Sequence, residues 1–182
     1  DLWSIKQLND GSFITTGHTN FALGSGSVRI LKLDSLGFVE MDTSYIFLNN
    51  FTQTGYSIFQ SLDGNYVIGG VTGSGGPAVR GLIFKINTVG DTLWSKIMTE
   101  FTDGTGAIYS SSINSMKELE DSTIVSTGSI ILQTGIPQPW NFRLLLLKFN
   151  AQGNEIWRRI FTFSAQYATY GSDISLANDG GF

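Results

Sequence analysis

Several groups of residues in this sequence carry side chains suited to chemistry or ligand contact. His18 is the only histidine, and there is no cysteine. That combination excludes a His-rich or thiolate metal site. A Ser-His-Asp arrangement would need a presented serine, and no Gly-x-Ser-x-Gly elbow surrounds any serine. Asp10, Asp63, Asp121 and Asp179 recur in matching contexts. One carboxylate per turn falls short of the roughly six to eight oxygens a calcium ion takes. A residue needed in every unit more often holds the unit together, so these are read as turn residues. Gly73-Ser74-Gly75-Gly76 is glycine-rich but lacks the Gly-Lys-Ser/Thr of a phosphate cradle. No motif calls for a cofactor. Trp94 and Trp157 hold matched positions, which favours packing between units. Trp140 has no counterpart and lies between Pro137, Pro139 and Asn141. A tryptophan on a stiffened loop suits sugar or protein contact, so Trp140 and His18 are the candidate ligand-contact residues.

The elements that must position these side chains form a repeat. Trp3–Gly17, Tyr56–Gly70 and Asn114–Gly128 share one frame, and Ser172–Phe182 begins it again. Each reads as an apolar start, an Asp-Gly or Asp-Ser turn, and a second apolar run; the first three close on glycine. A second half-motif follows: Arg29–Gly37, Leu82–Gly90 and Leu145–Gly153. It consists of an apolar run, Lys, an apolar residue, Asp or Asn, then Gly. Lys32, Lys85 and Lys148 mark the same place, where a lysine would snorkel or pair with a nearby carboxylate. Met41, Trp94 and Trp157 stand four residues beyond the glycine.

Each unit is predicted to hold four strands. Asp-Gly supplies hairpin turn chemistry, and short connections make antiparallel neighbours. In the second unit the strands are expected at 56–61, 66–72, 80–87 and 92–98. Leu82-Ile83-Phe84 and Leu144–Leu147 are continuously apolar. A half-exposed strand would alternate, so these runs imply burial on both faces. One sheet cannot cover both of its own faces. Neighbouring units must stack, as propeller blades do. A helix over Leu144–Leu147 is the competing reading. The run is short and bounded by Pro139 and Gly153, which argues for a strand.

The fold expected is therefore all-β: a β-propeller of four-stranded antiparallel meander blades in an incomplete ring, one partial propeller domain over 1–182. Blade 1 is placed at about 1–48, blade 2 at about 54–99 and blade 3 at about 110–162, with the start of blade 4 at about 170–182. The repeat runs off both ends of the sequence. Ser4, Ser57, Ser115 and Ser172 are the expected innermost side chains, alike and small.

Composition narrows the function classes. Of 182 residues, 41% are hydrophobic and only 14% charged, with 22 Gly and 3 Pro. The net charge is −4 and there is no basic stretch to neutralise phosphates, so no nucleic-acid partner is expected. The longest aliphatic run is far below the roughly 20 residues that cross a membrane, so no membrane insertion is expected. Asn50-Phe51-Thr52 fits a glycosylation acceptor.

Asn178-Asp179-Gly180-Gly181-Phe182 and Lys85–Trp94 resemble the β-propeller repeats of large exported or surface proteins of Bacteroidetes-type bacteria, which often carry a C-terminal sorting domain. More distantly, the chain is similar to quinoprotein-like propellers, although Met41 stands where their tryptophan would. The resemblance implies an extracellular or cell-surface location. It also implies a non-catalytic binding or scaffold module whose partner is a protein or a glycan, besides neighbouring blades of the same chain. Contacts would come from the variable loops 18–28, 71–79 and 129–142. The alternative is a fragment of a propeller enzyme, quinoprotein-like or glycan-active, with its site in other blades.

Overall fold

The computed structural model describes residues 1–20, 26–49, 51–73, 79–98, 109–132, 141–161, 169–179 and 181–182. These residues form three four-stranded antiparallel sheets and no helix. Blade 1 contains β1 (Leu2–Gln7), β2 (Phe13–Asn20), β3 (Gly26–Leu33) and β4 (Val39–Tyr45). Blade 2 contains β5 (Thr52–Gln60), β6 (Tyr66–Gly73), β7 (Arg80–Ile86) and β8 (Thr92–Ile97). Blade 3 contains β9 (Tyr109–Glu118), β10 (Ile124–Leu132), β11 (Asn141–Phe149) and β12 (Glu155–Phe161). Strand order follows chain order in each, a meander. The sheets stack like propeller blades and the ring is not closed. The run Leu144–Leu147 lies in β11 and is a strand.

Local chemistry sets both hairpins of each blade. The Asp10 carboxylate accepts from the Ser12 N–H at 2.9 Å, and the Asp121 carboxylate from the Thr123 N–H at 2.9 Å. Gly11 and Gly64 follow their aspartates at φ 84°, and Ser122 takes the same place at φ 62°. The second hairpin turns on Asp34, Asn87 or Asn150. Each side-chain oxygen accepts the N–H groups two and four residues on, at 2.8–3.1 Å. These are Asx turns that replace two backbone acceptors with one side chain.

The recurring lysines pair with carboxylates as expected. Lys85 Nζ is 2.7 Å from Asp63 and Lys148 Nζ is 3.6 Å from Asp121, while Lys32 Nζ lies 2.7 Å from Glu40. The repeated aspartates thus serve their own turns and, in blades 2 and 3, a lysine of the same blade.

Blade 2 is covered on both faces. Tyr66, Ile68, Leu82, Phe84 and Ile86 join one core with Ile14, Val28 and Ile30 of blade 1. Val67 and Ile83 join the other core with Ile113, Met116, Leu145 and Leu147 of blade 3. Leu82, Ile83 and Phe84 are all fully buried. This is why β7 reads apolar at successive positions. Each such side chain contributes about 1.5–3 kcal/mol by leaving water. The last strands are wetter: β8 and β12 show mostly exposed positions. Trp94 packs against the blade 2–blade 3 core, and a Cβ on Gly153 would come within 2.7 Å of its Cε3. Trp157 stacks on Phe182 of the fourth unit, centroids 6.2 Å apart. Both indoles therefore lie between repeat units.

Residues 169–179 and 181–182 start the fourth unit against blade 3. The Gly171 N–H donates to the Gly128 carbonyl at 2.9 Å, and Ile174 is buried. The Ala177 N–H donates to the Gly181 carbonyl at 2.8 Å, as Leu8 does to Ser12 and Ser61 to Asn65.

Candidate functional site

The first strand of every blade carries a β-bulge at one and the same place. Leu2 pairs with Gly17 and Ser4 with Thr16, leaving Trp3 as the extra residue. Gly55 pairs with Gly70 and Ser57 with Gly69, leaving Tyr56. Ile113 pairs with Gly128 and Ser115 with Thr127, leaving Asn114. A bulge bends its strand and re-aims one side chain.

The glycine that closes each repeat makes the bulge fit. A Cβ on Gly17, Gly70 or Gly128 would overlap the backbone carbonyl oxygen of Asp1, Thr54 or Ser112. Backbone atoms cannot rotate away as a side chain can. The recurring glycine is thus required by close approach across the bulge.

The re-aimed residues meet in one concavity of about 900 Å³. Trp3, Tyr56, Asn114 and Ser172 all line it. Val71, Ser129, Ile131 and Phe142, from the ends of the β2–β3 type connections, extend its wall. These four fall inside the variable segments 71–79 and 129–142. None of the described residues that line it carries a full charge at neutral pH. Trp3 and Tyr56 form an edge-to-face pair with centroids 5.9 Å apart. No described residue hydrogen-bonds the Tyr56 hydroxyl, and burial raises its pKa, so it stays protonated. Asn114 Nδ2 donates to the Gly171 carbonyl at 2.7 Å, which orients the amide and leaves Oδ1 as an acceptor. Ser112 and Ser129 hydroxyls share a hydrogen bond of 2.9 Å.

His18 stands level with Val71 and Ser129 but is mostly covered. Its Nδ1 accepts from the Trp3 indole N–H at 3.3 Å. Burial lowers its pKa, which favours the neutral imidazole that can accept this bond. His18 therefore acts on the concavity through Trp3, as a positioning residue. Trp140 and Asn50 lie outside the described residues.

The expected innermost serines are displaced by one position. Ser57 and Ser115 are buried, not presented to the concavity. Ser172 is not their equivalent. A Cβ on Gly171 would overlap the Thr127 side chain just as one on Gly55 would overlap Thr16. Gly171 thus matches Gly55, and two residues on, Asp173 matches Ser57. The Ser115 hydroxyl donates to the Asp173 carboxylate at 2.5 Å, and the Asp173 pKa is lowered by that bond. The side chains at the bulge are unlike one another, whereas the serines beside it are alike. The signal in the sequence was a change of residue type at 3, 56, 114 and 172 inside an otherwise constant frame.

Neither a search of protein-family models nor one of curated proteins finds a match to this chain.

Proposed function

We propose that this chain is part of a non-catalytic binding module whose ligand is a neutral glycan, held in the concavity at the bulges. The observation that carries the reading is the bulge set. Three blades direct Trp3, Tyr56 and Asn114 into one cavity, with a constant scaffold behind each. Two aromatic rings offer apolar platforms for the C–H face of a sugar ring. Asn114 Oδ1, the Tyr56 hydroxyl and the serine and threonine hydroxyls supply neutral hydrogen-bonding groups for its hydroxyls. A glycosidase needs a pair of carboxyl groups across the scissile bond, and none of the described lining residues is an aspartate or glutamate. This favours binding over the propeller-enzyme alternative. The resemblance to exported bacterial repeats supports a cell-surface or secreted setting, where glycans are at hand.

A glycan array followed by calorimetry with the intact chain tests this. Binding of a neutral oligosaccharide is expected, with little dependence on salt because no ion pair forms. Trp3→Ala and Tyr56→Ala should each weaken it by about tenfold, a stacking contribution near 1.4 kcal/mol. Binding unchanged by both substitutions, or hydrolysis of the sugar, would overturn the reading. Capture of a protein with no glycan bound would redirect it to protein recognition.

A further inference from the structure

The junctions between blades are keyed at one position, and blade 1 presents an unmatched key. The residue just before the bulge faces the preceding blade. It is Leu2, Gly55, Ile113 and Gly171 in the four units. Opposite it, on the second strand of the preceding blade, stands Thr16, Gly69 or Thr127. At the first junction a Cβ on Gly55 would overlap the Thr16 hydroxyl and reach 3.0 Å from Val28 Cγ1. At the second, a Cβ on Gly69 would lie 2.7 Å from Ile113 Cγ2. At the third, a Cβ on Gly171 would overlap the Thr127 hydroxyl. Every junction pairs one side chain with one glycine, and which side carries the side chain alternates. Threonine and isoleucine are branched at Cβ and cannot swing aside.

On blade 1 the corresponding face is bare. Leu2 is 51% exposed, whereas its counterpart Ile113 is fully buried. Ile5 is 60% exposed, whereas Ile58, Met116 and Ile174 at the same place are 0%, 1% and 6% exposed. Leu31 and Leu33 are half-buried, whereas Phe84, Ile86, Leu147 and Phe149 are buried. In each covered case the cover is the preceding blade.

We infer that this face docks a further four-stranded blade of the same repeat, and that the docking blade carries glycine where blade 1 carries Thr16. Leu2 is the large member of its pair and needs the small one opposite. A second copy of this chain does not satisfy the requirement with its blade 3, which presents Thr127.

The test extends the chain itself. A copy of residues 51–111 is placed ahead of Asp1, so that Ser111 runs into Asp1 as it natively runs into Ser112. This sets a Gly69 opposite Leu2. Amide exchange across Leu2–Gln7 should slow by at least about tenfold relative to the native chain. Gly69→Thr in the added copy alone should abolish that protection. Leu2→Gly in the threonine-bearing chain should restore it, by recreating the Thr16–Gly55 pairing. Equal protection with glycine and threonine, no protection with glycine, or no rescue by Leu2→Gly would each overturn the inference. If the extended chain fails to fold, the native second junction decides. Gly69→Thr combined with Ile113→Gly should melt above Gly69→Thr alone, and a double variant no better than the single would overturn the keying.

Discussion

Gly70→Ala is the sharpest perturbation of the bulge. Gly70 has ordinary φ, so its side-chain freedom is limited by space, not by backbone conformation. A Cβ there would overlap the Thr54 carbonyl oxygen and lie 2.9 Å from that carbonyl carbon and 3.0 Å from Gly55 Cα. All three atoms are backbone, so the first strand itself must retreat from β6. Overpacking of this kind costs about 1–3 kcal/mol. Weakening one ladder hydrogen bond beside the Gly55–Gly70 pair adds about 1 kcal/mol. A loss of about 3 kcal/mol is expected, or a melting temperature lower by about 6–12 °C for a chain of this size. The control is Gly64→Ser. Gly64 has φ 84° but nothing within 4 Å of its missing Cβ, and Ser122 shows a serine at the same place in blade 3. That change should cost only about 1 kcal/mol, the penalty for a side chain in the left-handed region. Calorimetric or denaturant melts of both variants measure the contrast. If Gly70→Ala melts no lower than Gly64→Ser, close approach at the bulge is not why the glycine recurs. Gly70→Ala should also displace Tyr56, and with it glycan binding, even where the blade remains folded.

Ser126 Oγ is fully buried between blades 2 and 3 with no partner, so Ser126→Ala should leave stability unchanged or raise it by up to about 1 kcal/mol in denaturant melts. Tyr45 donates to the Gly90 carbonyl at 2.6 Å across the first junction, and burial pushes its pKa up to about 12. The unfolded chain ionises this phenol near pH 10, so the stability it contributes is present below that pH and lost as pH rises toward 12. Tyr45→Phe should remove this alkaline slope and cost about 1 kcal/mol at neutral pH. At Asp63 burial opposes the charge, but the Lys85 ammonium, the Ser61 hydroxyl and the Asn65 N–H outweigh it and hold the carboxyl well below the usual range. Its contribution is therefore present above the ordinary carboxylate pKa of about 4 and is lost as pH falls below it. Asp63→Asn should flatten the acid limb of a stability–pH curve, and an unchanged limb would show that the pair contributes nothing.

The hairpins were legible in the sequence because their causes are local. Asp63-Gly64 and Asn87 through Gly90 specify their turns with side chains two to four residues away. The stacked blades were legible because three consecutive buried residues, Leu82 to Phe84, leave no exposed face for β7. The bulge was not legible by the same means. Alternation counts residues along one strand and has no term for an extra residue in one strand of a pair. It therefore placed Ser57 toward the axis, where Tyr56 stands. Only the pairing partner reveals the slip, and that partner, Gly70, announces itself in the sequence as a glycine with no turn to make. The same count misaligned the fourth unit, where six residues back from Asp179 lies Asp173 and not Ser172.

The repeat divides its positions by what each must tolerate. Asp10, Asp63 and Asp121 recur because each turn makes the same hydrogen bond. Gly17, Gly70 and Gly128 recur because each bulge brings backbone onto backbone. The key positions do not recur but covary, since Thr16 requires Gly55 and Ile113 requires Gly69. Only the bulge residues are free of all three constraints: they make no turn and fill no junction core. Their side chains can change without cost to the scaffold, and Trp3, Tyr56, Asn114 and Ser172 have changed. Variation confined to positions that the fold leaves unconstrained, and that share one cavity, is what a ligand-contacting surface requires. Exchanging Tyr56 with Asn114 should accordingly leave the melting temperature within about 2 °C of the native value while altering which glycan is bound. A large loss of stability in that exchange would place the bulge residues in the scaffold after all.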